Sequence, residues 1–163
     1  MKCPAPSGLT VHPPTVAMKA LVIYEDIIAG EAGRQVAREF ATANDFQDLK
    51  LNTWNAALLD ESLFGEFIAG LAAGADMIVV AIRGTDGLTQ SLKRWIHRWT
   101  VQEPEKHRAL AIWLDYPDCR AASHAEEFIK RIARDSVVEF FQQYGEPAPT
   151  ERMPHRHEVL WVI

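Results

Sequence analysis

Leu21-Val22-Ile23-Tyr24-Glu25-Asp26 is an apolar run that ends abruptly on two carboxylates, ahead of Ile27-Ile28-Ala29-Gly30. A strand buried on both faces of a parallel sheet reads as a continuous apolar run rather than as an alternation. Open α/β sheets gather their ligands at the carboxyl ends of such strands. Ala20 to Tyr24 is therefore expected to be a strand of a parallel sheet, and Glu25 and Asp26 to stand at the rim where any chemistry takes place.

The following segments repeat this pattern. Glu31 to Ala43 sets Ala32, Val36 and Phe40, with Ala37 and Ala41, on one helical face. Leu49 to Trp54 reads as a shorter second strand. Asp60 then reads as the cap of a helix that carries Leu63, Phe64, Phe67, Ile68 and Leu71 as far as Gly74. Met77 to Ile82 is the most continuous β-branched run and is expected at the centre of the sheet. It leads through Arg83-Gly84-Thr85-Asp86-Gly87 into a helix with Leu92, Trp95, Ile96 and Trp99.

Ala109 to Leu114 is a fourth strand, closed by Asp115-Tyr116-Pro117-Asp118. Glu126 to Tyr144 reads either as one long helix or as a helix to Arg134 followed by a strand over Val137 to Gln142. The break at Asp135-Ser136 and the β-rich Val137-Val138-Glu139-Phe140-Phe141 favour the second. This order predicts an α/β fold: a doubly wound, parallel, five-stranded sheet with right-handed crossovers and helices on both faces.

Residues 18–144 form the expected domain. Residues 1–17, with Pro4, Pro6, Pro13 and Pro14, resist both helix and central strand and are expected to be a disordered extension. Met18 stands just before the first strand and marks an alternative start of translation. Residues 145–163 are expected to be a linker, Gly145-Glu146-Pro147-Ala148-Pro149, and a tail whose apolar end Val159-Leu160-Trp161-Val162-Ile163 is either an edge strand or a docked segment. In the long-helix reading that run becomes the fifth strand itself.

The chain has 163 residues, of which 48% are hydrophobic. A single domain of this size buries roughly two thirds of its unfolded surface. The formal charge of -5 argues against a general nucleic-acid binder, whose phosphate contacts need a basic face. No segment reads as a signal peptide or membrane span, so a cytoplasmic location without membrane partners is expected. Cys3 and Cys119, far apart in sequence, fit reduced thiols.

The β-α order repeated through five strands resembles the flavodoxin-like architecture shared by flavodoxins, FMN reductases and receiver domains, over about residues 18–143. Val22-Ile23-Tyr24 with Ala29-Gly30 and Ala32 stands where flavodoxins carry a hydroxyl-rich loop for the FMN phosphate. Here that place holds Glu25-Asp26-Ile27-Ile28-Ala29-Gly30-Glu31, with three carboxylates and no Ser or Thr. Carboxylates repel a phosphate dianion, although a helix amino terminus favours one. Ala75 to Ile82 with Ser91-Leu92-Lys93-Arg94-Trp95-Ile96 is similar to the third β-α unit of FMN reductases. Glu25-Asp26 resembles the acidic pair with which receivers bind magnesium, but Ile82-Arg83 stands where a receiver has its phosphoacceptor Asp. No Lys ends the run Val137 to Gln142. Without that nucleophile, phosphoryl transfer to the domain is not expected. The opening strand, carboxylates and helix also resemble an uncharacterised bacterial family, which implies no activity.

The ligand-rim candidates are Glu25, Asp26, Arg83, Asp86, Asp115 and Asp118, all at predicted strand ends. Glu25, Asp26 and Asp115 are weak candidates for magnesium, though such residues more often cap helices and solvate turns. Arg83 either holds an anion or pairs with Asp26 or Asp115, and the pairing is favoured. His155 and His157, with His107 or His124, lack the framework of a zinc site. Cys119 beside Arg120 reads as an ordinary loop thiol rather than a nucleophile.

Trp95 and Trp99 are expected mostly in the core. Two tryptophans on one helix also make them interface candidates for self-association. Lys93, Arg94, His97 and Arg98 form the solvated face opposite. Together these features predict a non-catalytic regulatory or protein-interaction module, receiver-like but without a phosphoacceptor and dimeric or bound to a protein partner. One alternative is a flavin- or nucleotide-binding reductase with Trp54, Trp113 or Tyr116 near the ring. A weaker one is a metal-dependent hydrolase.

Overall fold

The computed structural model describes residues 17–100, 108–115, 119–136 and 138–145. Within them run β1 (Ala17–Tyr24), α1 (Ile27–Ala43), β2 (Asp48–Asn55), a 3-10 turn (Ala56–Asp60), α2 (Ser62–Ala73), β3 (Met77–Ile82), α3 (Gln90–Thr100), β4 (Arg108–Leu114), α4 (Arg120–Arg134) and β5 (Val138–Tyr144). All five strands are parallel, in the order β2-β1-β3-β4-β5, with β3 at the centre. This is the expected flavodoxin-like arrangement, and the strand reading of residues 138–144 prevails over the long helix.

The alternation of side chains along each strand divides the core. Leu21 and Ile23, Ile78, Val80 and Ile82, and Leu110, Ile112 and Leu114 face one layer, made by α2, α3 and α4. Met18, Ala20 and Val22, Met77, Val79 and Ala81, and Ala109, Ala111 and Trp113 face α1. Bulky branched residues thus fill the three-helix side, and small ones dominate the other, where α1 presents Ala29, Gly33, Ala37 and Ala41. A Cβ on Gly33 would lie 2.6 Å from Val22 Cγ1 and 3.0 Å from Ala81 Cβ, so α1 rests almost directly on the sheet.

Several boundaries differ from expectation. β1 begins at Ala17, and Met18 is fully buried inside it rather than standing before it. α1 begins at Ile27, because Asp26 is its N-cap: Asp26 Oδ1 accepts a hydrogen bond from Ala29 N at 2.9 Å. Asp60 caps no helix. It ends the 3-10 turn, and its carboxylate accepts a hydrogen bond from the Ser91 hydroxyl of α3. α4 starts at Arg120, on a cap made by Cys119.

The apolar spacing of α2 also proves a poor guide to its inner face. Ile68 and Ala72 are buried, whereas Leu63, Phe64 and Phe67 are 81%, 40% and 56% exposed. The expected N-terminal extension, except Ala17, and the tail beyond Gly145 lie outside the described residues.

Candidate functional site

The rim is built by the three inner strands. The connection from β1 to α1 is Glu25-Asp26 alone, so the seven-residue loop expected there is largely helix. Glu25 N donates to Ala81 O at 3.1 Å, which ties this turn to β3. Glu25 Oε2 in turn accepts from Arg83 N at 2.9 Å, and Asn55 Nδ2 donates to Glu25 O at 3.2 Å. Glu25 is therefore a clamp between the ends of β1, β2 and β3.

Arg83 leaves the end of β3 and divides its guanidinium between two strands' carboxylates. Nη1 lies 3.4 Å from Asp26 Oδ2, and Nη2 lies 3.1 Å from Asp115 Oδ2. All three side chains are partly sheltered, which strengthens the attraction relative to a fully solvated pair. Asp115 is held in turn by its neighbours. Asp115 N donates to Ile82 O at 3.3 Å, and Gly145 N donates to Leu114 O at 2.6 Å beside it. A Cβ on Gly145 would meet Asp115 Oδ1 at 2.7 Å, so the end of β5 closes against this carboxylate.

The structure thus brings together Glu25, Asp26, Arg83 and Asp115 of the six rim candidates. Asp86 is exposed on the β3–α3 loop, and Asp118 lies outside the described residues. Instead of converging on a cation site, Asp26 and Asp115 are bridged by an arginine, and Glu25 is turned to a backbone amide. Among the described residues, no group of three or more His, Cys, Asp or Glu side chains is placed to hold a metal ion. His124 is exposed on α4, while His107, His155 and His157 lie outside the described residues.

The N-terminus of α1, where an anion would gain most from the helix dipole, is occupied by the Asp26 carboxylate. Two apolar side chains, Ile27 and Ile28, are exposed in its first turn. Ile82, where a receiver would have its phosphoacceptor, is buried in the core. Cys119 is a structural thiol: Sγ donates to Gly84 O at 2.8 Å, pinning the β3–α3 loop, and accepts from Ala122 N at 3.3 Å.

The aromatic candidates separate as well. Trp95 and Trp99 are 8% and 3% exposed, so they form core, as expected of most of that face, and leave little surface for self-association. Trp99 Nε1 donates to Ala72 O at 2.9 Å, and the Arg108 guanidinium lies 5.3 Å from its ring centre. Trp113 is buried under the α1 side of the sheet. Trp54 is half-buried at the edge of the sheet, with the rings of Phe67 and Phe64 at 5.5 and 6.1 Å. Tyr116 lies outside the described residues.

The apolar surface missed from sequence is therefore on α2, not α3. The signal was present: Ser62–Ala73 contains a single charged residue, Glu66, and a surface helix normally shows a polar stripe. No described helix is long and apolar enough to cross a membrane.

No family model matches this chain, and no curated protein matches it. Among solved structures it is similar to the Streptococcus pneumonia TIGR4 flavodoxin, at 13% identity, with 78% of this chain and 82% of that chain covered and a TM-score of 0.48. It is also similar to a short-chain flavodoxin associated with a PDU bacterial microcompartment, at 11% identity, with the same coverage and a TM-score of 0.48. The parallel sheet in the order β2-β1-β3-β4-β5 makes the fold of this chain flavodoxin-like.

Proposed function

We propose that this chain is a non-catalytic protein-interaction module that uses the flavodoxin-like fold as a scaffold. The observation that carries this reading is the outer face of α2, where Leu63 stands in solvent and Phe64 and Phe67, packed on one side against Trp54, remain partly exposed on a helix with one charge. Exposed apolar side chains grouped on one helix face are a recognised mark of a contact surface. The rim supports the same reading from the other side. Its arginine and two of its aspartates satisfy one another, and a carboxylate already caps the helix end that would attract phosphate.

Site-specific photo-cross-linking in the producing cell tests this directly. A photoreactive phenylalanine in place of Leu63 is expected to give a discrete protein adduct, and one in place of exposed Lys50 on β2 none. Saturable FMN or nucleotide binding, with no adduct from position 63, would overturn the proposal in favour of a flavin- or nucleotide-binding enzyme. So would turnover of a defined substrate that is lost on Asp26→Asn.

A further inference from the structure

We infer that the outer face of α2 is covered, until a partner binds there, by the chain's own segment 151–163, with the apolar run Val159-Leu160-Trp161-Val162-Ile163 lying on Leu63, Phe64 and Phe67. This inference rests on the reading of the chain as an interaction module, and adds to it an internal competitor for the same face.

The topology puts face and segment within reach of each other. Helices that cross over between parallel strands start where a strand ends, so the first two turns of α2 stand at the carboxyl rim of the sheet. Phe64 and Phe67 accordingly meet Trp54 near the end of β2. Gly145 leaves β5 at the same rim, where its N–H donates to Leu114 O. β2 and β5 are the two edges of the sheet, four strand spacings apart, which is about 19 Å. The helix layer adds about 10 Å. From Gly145 to Val159 the chain advances fourteen residues, enough to span about 46 Å when extended. Residues 1–16 are the poorer match: they precede β1 at the opposite end of the sheet, carry four prolines and hold no comparable run of large apolar residues.

The order of residue types along the segment matches the order of surfaces between the two edges. α4 packs on β5, α3 on α4 and α2 on α3, so a path from Gly145 toward α2 meets α3 first and then the groove of about 520 Å³ between α3 and α2. The α3 wall of this groove carries Arg94 and Arg98, and the far wall carries Asp60, Glu61 and Glu66. Among the described residues, none of these five forms an ion pair. In the segment, Glu151 precedes Arg152 and Arg156, as the arginine wall precedes the carboxylate wall. The apolar run then follows the charges, as the face of Leu63 follows the groove.

Pairs between such exposed charges set direction and register more than strength. The strength comes from the apolar run, with Trp161 as its large anchor. Tethering supplies the rest: a short linker holds the segment at an effective concentration in the millimolar range, so a contact too weak to join two separate molecules still keeps the face covered.

Photo-cross-linking of the purified full chain tests the inference, with a photoreactive phenylalanine in place of Leu63 and an equimolar mixture of chains labelled with light and heavy nitrogen. Mass spectrometry of the digested adducts is expected to show position 63 joined to residues within 151–163 of the same isotope. Leu160→Ser with Trp161→Ser is expected to lower that yield at least about tenfold, and the same probe at Lys50 to give no such adduct. Absence of the adduct from position 63, or a yield unchanged by the double substitution, overturns the inference. Adducts that join light to heavy chains overturn it as well, because the segment then reaches another copy. The interaction reading is judged separately in the producing cell. If position 63 captures no other protein there, even with the double substitution, that reading fails while an adduct within one chain still upholds the covering segment.

Discussion

Arg83 holds two aspartates from different strand ends at once, with Nη1 3.4 Å from Asp26 Oδ2 and Nη2 3.1 Å from Asp115 Oδ2. Removing it leaves two partly sheltered carboxylates without their shared cation. Arg83→Ala is expected to lower stability by about 1–2 kcal/mol, the low end of what unpaired charges cost because solvent still reaches them. In 1 M salt, where charges are screened beyond about 3 Å, the loss is expected to shrink. Urea denaturation at two salt concentrations checks both statements, and equal midpoints for variant and wild type would contradict the bridge.

Asp26 carries two separable duties, one oxygen capping α1 and the other facing Arg83. Asp26→Ser retains a capping acceptor and loses the ion pair, whereas Asp26→Ala loses both. The alanine chain is expected to be about 1 kcal/mol less stable than the serine chain. If both melt together, the Ala29 N–H bond contributes nothing to stability.

Gly33 and Gly70 are both helical, but their surroundings set opposite outcomes for alanine. At Gly33 the new methyl group would strike Val22 and Ala81, and the overpacking cost of about 1–3 kcal/mol exceeds the roughly 1 kcal/mol gain in helix propensity. At Gly70 no atom stands in the way, so the gain remains and Gly70→Ala is expected to raise stability by about 0.5–1 kcal/mol. Thermal denaturation of the two variants should therefore move in opposite directions from wild type.

Tyr144 donates its hydroxyl proton to Glu126 Oε2 at 2.9 Å and accepts from Gln142 Nε2 at 3.0 Å. Burial first, then the hydrogen bond and charge of Glu126, push its pKa from 10 up to about 12. The unfolded chain loses this proton near pH 10, and the folded chain keeps it until near pH 12. The contribution to stability is therefore complete below pH 10 and is lost as pH rises through 12. Tyr144→Phe is expected to flatten the fall in stability between these limits and to remove a late-titrating component from the phenolate absorbance. A wild-type profile unchanged by the substitution would refute it.

The strands were the most legible part of this chain. β3 and β4 are buried at every residue and contain no polar interruption except Arg108 at the start of β4, so an apolar run marks each one. The pairing of Arg83 with its acidic neighbours was also readable, since a cation among carboxylates at one sheet end has few other partners. The start of α1 was not: Asp26 served equally well as a rim ligand or as an N-cap, and the choice depends on backbone geometry. The first six of the fifteen residues of α4 were missed because Arg120 to Ala125 offers no large apolar side chain. There the buried positions Ala122, Ala125 and Ile129 show a helical period only when alanines count as core.

The site was harder still, because side-chain orientation is a tertiary matter. An apolar sequence around all sides of α2 gives no unique inner face, and the core selected Ile68 and Ala72 in preference to the larger phenylalanines. Trp99 found its place inside through a carbonyl of α2, a contact between segments 27 residues apart.

Strand order also governs when the chain is vulnerable. A nascent polypeptide that has emerged only through Leu114 has β4 at the border of its sheet, an edge of unpaired backbone flanked by apolar side chains on both faces. Such a border is a template for pairing with another chain. It stays open until β5 arrives, thirty residues later, an interval of about 2–6 s at ordinary rates of synthesis. The partly polar strand Val138–Tyr144 is thus the protective hem of the sheet, and a product shortened before it carries the sticky border permanently.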